Sequence, residues 1–100
     1  MSIEVRRSAD RREVTISIGE RFDFSEHKAF REAYRNDPPD ARFRVNLAST
    51  RYLDSSALGM LLLLRKHAGG ERAQVVLEGM DDGVKKILEI ANFDKLFEMK

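Results

Sequence analysis

One hundred residues, 42% of them hydrophobic, have room for one core and too much apolar character for a disordered chain. With 18 basic and 17 acidic side chains the net charge is +1, which argues against bulk affinity for nucleic acid. There is no cysteine, so disulfides and thiolate metal sites are excluded; the longest apolar stretch, Ala57 to Leu64, is far below the roughly 20 residues that cross a bilayer.

Ile3 and Val5 alternate with charged neighbours as in a strand. After a turn at Ala9–Arg12, Val14, Ile16 and Ile18 alternate with Thr15 and Ser17 in a second strand that Gly19 ends, so the two predict a hairpin. The basic cluster Arg6, Arg7, Arg11 and Arg12 reads as a solvated surface that discourages edge pairing. Asp23 and Glu26 have the spacing of a capping box, and Ala29, Phe30, Ala33 and Tyr34 repeat at helical intervals up to the loop Asn36-Asp37-Pro38-Pro39-Asp40. Phe43, Val45 and Leu47 mark a third strand. A second helix is expected from near Ser55 to about Ala68, where Gly69-Gly70 stops it.

Ala73 to Leu77 form a fourth strand whose Val75-Val76-Leu77 run suggests burial on both faces. Asp81-Asp82 can cap a third helix. In it Val84, Ile87, Leu88 and Ala91 form an apolar stripe, with Asn92 as C-cap. Phe93 to Met99 give a short turn and a last edge strand. The expected architecture is α/β: one domain over residues 1–100, with a mixed β-sheet, helices packed against it and the order β-β-α-β-α-β-α-β.

The segment Asp54-Ser55-Ser56-Ala57-Leu58-Gly59-Met60 carries the chemistry. Asp and Ser at a helix start accept bonds from its free N–H groups, and the helix dipole there favours a phosphate, bound or attached. The apolar residues that follow either wedge the helix between the sheet and its neighbouring helices or, at Leu58 and Met60 beside Ser56, add an apolar edge for a docked partner; both readings can hold for different residues. Serine hydrolysis would need a base and a nucleophile elbow, but Asp54 rather than glycine precedes the serine pair. Phosphate-binding glycine loops are missing, as is the acidic pair a magnesium-dependent receiver would need beside Asp54. His27 and His67 have no metal-ligand spacing, so no catalytic residue, metal or cofactor is expected.

The order of elements and the Asp54-Ser55-Ser56-x-Leu58-Gly59 motif resemble the STAS domain, and more narrowly the bacterial anti-sigma factor antagonists. Gly19 with the Phe22-Asp23-Phe24 loop, Val45-Asn46-Leu47 and Ile90-Ala91-Asn92-Phe93-Asp94-Lys95-Leu96-Phe97 carry the resemblance along the chain. It implies a non-enzymatic partner switch in signal transduction and transcription regulation. An anti-sigma factor, often with serine kinase activity, is bound by the unphosphorylated form and released on phosphorylation; a metal-dependent serine phosphatase resets the switch. By that resemblance Ser56 is the phosphoacceptor. Asp54, Ser55, Ala57, Leu58, Gly59 and Met60 are its docking surface, with Phe22, Asp23 and Phe24 beside them. Ala57 stands where many antagonists carry glycine, which should stiffen the helix start slightly. The alternative is a constitutive STAS scaffold in which Ser56 only caps the helix. Met1-Ser2-Ile3-Glu4 lacks the apolar segment of a signal peptide, so a cytoplasmic protein with no membrane or nucleic-acid partner is expected.

Overall fold

Strands β1 (Ile3–Arg7) and β2 (Glu13–Ile18) form the expected antiparallel hairpin in a computed structural model that describes residues 3–100. A two-residue strand, β3 (Arg21–Phe22), and a 3₁₀ turn (Phe24–Glu26) lead into helix α1 (His27–Tyr34). Then come β4 (Arg42–Asn46), a second two-residue strand β5 (Tyr52–Leu53), and α2 (Ser55–His67). β6 (Val75–Glu78), α3 (Asp82–Ile90) and β7 (Glu98–Met99) complete the chain. The main sheet has the order β1-β2-β4-β6-β7, with every pair after the hairpin parallel. Its strands and the three helices follow the expected β-β-α-β-α-β-α-β, while the short parallel pair β3–β5 is an addition.

Period-two alternation decides which face each strand buries. Register aligns Val14 with Phe43 and Val75, and Ile16 with Val45 and Leu77. All six are buried in one cluster with Phe30 and Tyr34 of α1, Leu61 and Leu64 of α2, and Val84 and Leu88 of α3. The helices therefore cover a single face. The other face is polar: Arg44 reaches Glu13 at 3.1 Å and Glu78 at 3.0 Å. Val76 points to this side, in register with Arg44 and Glu98, and is buried there without joining the core cluster. The Val75-Val76-Leu77 run thus is buried throughout, although one face carries no helix.

Caps agree with the sequence at α2 and α3. Asp81 accepts from the Val84 N–H at 2.8 Å. Gly69, at φ 109°, turns the chain out of α2, and Asn92 takes a left-handed φ of 62° after α3. The capping box at Asp23 and Glu26 is not formed: Asp23 caps the 3₁₀ turn through the Ser25 N–H, and α1 starts only at His27. A tight turn brings the Ser25 donor within reach of Asp23 first, leaving Glu26 no reciprocal role. Arg7 forms a bidentate pair with the buried Asp37 at 2.9 Å and also donates to the Ala33 carbonyl. That pair ties β1 to the end of α1, and it raises the Arg7 pKa.

The apolar body of α2 divides in two. Ala57, Met60, Leu61 and Leu64 are buried, whereas Leu62 and Leu63 are 42% and 54% exposed. Leu64→Ala should therefore cost about 2–5 kcal/mol by transfer and cavity formation. Leu63→Ala should stay within about 0.5 kcal/mol. Urea unfolding of both variants measures the difference.

Candidate functional site

The site rests on the short pair β3–β5, which runs parallel with Arg21 beside Tyr52 and Phe22 beside Leu53. Thr50 sets this pair at the end of the main sheet. Its buried hydroxyl donates to the Gly19 carbonyl at 2.9 Å, at the end of β2. The Arg51 and Tyr52 N–H groups donate to the Glu20 carbonyl at 2.8 and 3.1 Å. Phe22 and Leu53 point into the core, so the residue after each strand, Asp23 and Asp54, emerges at the rim.

Those two aspartates have matching local chemistry. Asp54 is the N-cap of α2: its Oδ1 accepts from the Ala57 N–H at 3.0 Å and from the Ser56 hydroxyl at 2.6 Å. Asp23 accepts from the Ser25 N–H at 3.0 Å and from the Ser25 hydroxyl. The Ser56 hydroxyl, above all, holds the Asp54 carboxyl below its ordinary pKa, aided by the Ala57 and Ser56 N–H groups; burial and the negative charge of Asp23 oppose this. Asp23 is lowered in the same way, first by the Ser25 hydroxyl, then by the Ser25 N–H, with Arg21 adding its positive charge. Both carboxylates are thus ionised at neutral pH, side by side.

The ten residues expected here separate by burial. Ser55 and Gly59 are exposed on α2, Ser56, Leu58 and Asp54 are half-buried, and a Cβ built on Gly59 would meet nothing within 4 Å. Asp23 is half-buried, while Phe24 is 68% exposed and stacked on the His27 ring. Phe22, Ala57 and Met60 belong to the core, so their side chains support the surface from below and do not form it. Helical periodicity is the cause: Ala57, Met60, Leu61 and Leu64 follow the inward stripe, leaving Ser55, Gly59, Leu62 and Leu63 outward.

Sequence reasoning missed Arg21 and Tyr52. The Arg21 guanidinium lies 4.4 Å from the Tyr52 ring centre and 3.4 Å from Asp23, bridging the two strands at the rim. Two-residue strands are too short to show a period. The alternation of Arg21, Phe22 and Asp23 with Tyr52, Leu53 and Asp54 was the one available signal. Among the described residues, no group of three or more His, Cys, Asp or Glu side chains is placed to hold a metal ion. No described helix is long and apolar enough to cross a membrane.

The family model described as "Mlab, STAS domain" matches residues 5–98. The chain belongs to the STAS-domain family. A STAS-domain containing protein of Pseudomonas aeruginosa (strain UCBPP-PA14) is 53% identical over 100 residues, which cover 99% of both chains. The fold is that of the anti-sigma factor antagonist SpoIIAA in its unphosphorylated form, with a TM-score of 0.71, 15% identity, and coverage of 98% of this STAS domain and 86% of SpoIIAA. A Thermotoga maritima protein provisionally classed as an anti-sigma factor antagonist is similar with a TM-score of 0.80 and 14% identity, over 97% and 84% of the two chains. The phosphorylated form of the Bacillus SpoIIAA gives 0.67 at 13% identity, over 98% and 90%.

Because the Ser56 hydroxyl is the leading cause of the depressed Asp54 pKa, Ser56→Ala should raise it toward the ordinary carboxylate value. A depressed folded-state pKa stabilises the fold above the unfolded value, near ~3.9, and that contribution is lost as pH falls through the folded value. The stability gap between wild type and Ser56→Ala should accordingly close in acid. Carboxyl NMR titration and acid unfolding of the two proteins measure both effects.

Proposed function

We propose that this STAS domain is a partner-switching anti-sigma factor antagonist whose switch is phosphorylation of Ser56. The observation that carries the reading is the placement of the Ser56 hydroxyl: on the first turn of α2, half-buried, and bonded to a carboxylate that stands beside a second one. Its fold likeness to a protein solved in phosphorylated and unphosphorylated forms supports the same reading.

In the unmodified state the hydroxyl donates to Asp54 and holds it as a hydrogen-bonded carboxylate. A partner then meets Ser55, Ser56, Leu58 and Gly59, flanked by Phe24 and by the exposed Leu62 and Leu63. Gly59 adds no bulk, so a partner's side chain can approach the helix closely. Phosphorylation replaces the hydroxyl proton by a group carrying about −1.5 to −2 charges. The bond to Asp54 is lost, and the phosphate stands beside two carboxylates. The α2 dipole offsets some of this repulsion, so the helix itself persists. A docked partner has no such compensation: covering the unpaired charge costs several kcal/mol, and each ~1.4 kcal/mol is tenfold in affinity.

The partner class is an anti-sigma factor or a related regulator with serine kinase activity. A metal-dependent serine phosphatase restores the binding form, and the whole cycle runs in the cytoplasm. The protein is a substrate in this cycle and not itself an enzyme.

Wild type, Ser56→Ala and Ser56→Asp used as baits in the native cell lysate should separate cleanly. One partner is expected on the first two and at least about 100-fold less on the third. Equal recovery by Ala and Asp would instead identify a constitutive scaffold, in which Ser56 serves only the helix start.

A further inference from the structure

β1 lies at one end of the main sheet, and β2 is its one strand neighbour among the described residues. Half of its backbone N–H and C=O groups therefore face outward, a template for another strand. On the helix side this edge opens into a groove of about 530 Å³ between Ile3 and Val5 of β1 and Lys28, Ala29, Glu32 and Ala33 of α1. Ile3 and Val5 sit on the core face, opposite Ile18 and Ile16, yet are only half-buried. The cluster beneath them is complete on the β2 side and unfinished on this one.

We propose that the groove is closed by a second copy of this chain, the two β1 strands pairing antiparallel about a two-fold axis through Val5. Charge complementarity singles out this occupant. Glu4 and Arg6 flank Val5 symmetrically, so the two-fold register sets each Glu4 opposite the partner's Arg6, twice per seam. Val5 meets the partner's Val5 on the apolar side, and Ile3 lies against the stem of the partner's Arg7. Arg7 is free for this packing role because its guanidinium is held by Asp37. The helix layer repeats the logic: Lys28 and Glu32, one turn apart along the groove, are self-complementary when α1 faces its own copy in the opposite direction. Glu32 also holds Arg35 at 2.9 Å, on the exposed side of the helix. The sequence alone read the basic cluster as a guard against edge pairing. Arg7 is withdrawn from that guard by Asp37, and Arg6 finds its counter-charge in Glu4.

A seam of five residues a side is smaller than a standard interface, so association in the micromolar range is expected. Sedimentation velocity of the full chain at rising concentration tests it, with wild type, Glu4→Arg, Arg6→Glu and the double reversal. Both residues are exposed on the polar sheet face, and circular dichroism checks folding. Wild type should show a monomer–dimer equilibrium, each single reversal should weaken it about tenfold, and the double reversal should restore it. Amide exchange within Ile3–Arg7 should slow as wild-type concentration rises. A wild type that stays monomeric, single reversals without effect, no recovery in the double reversal, or exchange independent of concentration would each overturn the proposal. None of these variants touches residues 54–60, so their failure leaves the Ser56 reading standing.

Discussion

The buried hydroxyl of Thr50 is the constraint on which the candidate site depends. It reaches back across the rim to the carbonyl of Gly19, at the end of β2. A buried donor left without a partner costs about 1–3 kcal/mol, so the chain after β4 is held close to the chain after β2. The two-residue strands β3 and β5 can then pair, and their pairing fixes which residues emerge side by side. Without that clasp, Asp23 and Asp54 would sit on two independent loops. With it, they form one rim.

The charge of that rim is balanced narrowly. Each aspartate takes a serine hydroxyl and a backbone N–H, and Arg21 supplies the nearby cation while lying on Tyr52. The arrangement is saturated as it stands, and Asp54 already occupies the Ala57 N–H that an added anion would seek. An anion introduced here finds a favourable dipole but few free donors. A negative charge added at this rim would therefore stand largely without hydrogen-bonded compensation.

Most of this fold could be read from periodicity. β2 and β4 alternate cleanly because one face meets the helices and the other meets water. Asp54, Asp81, Gly69 and Asn92 mark helix ends through side-chain and backbone chemistry that is local to them. The parallel clasp was not legible, because two residues cannot display a period and Thr50 acts across 31 positions of sequence. The division of α2 was only half legible. An unbroken Leu61–Leu64 run identifies an apolar helix but does not say which of its leucines the sheet leaves uncovered. Motif position singles out Phe22, Ala57 and Met60, but it does not reveal that their side chains are buried in the core. The capping box failed because Ser25 stood nearer to Asp23 than Glu26 did.

The strand order has a consequence for how the chain comes into being. β4 lies at the centre of the sheet and pairs with β2 on one side and β6 on the other. After β4 has emerged and before β6 is available, Phe43 and Val45 have a strand neighbour on one flank only, and the other flank is a bare, strand-forming edge. The edge is closed only when Val75–Glu78 has left the exit tunnel. In the interval between the two strands the nascent protein carries an open edge, and the polar outer face, where Arg44 pairs with Glu13, is the part that keeps such a fragment dispersed.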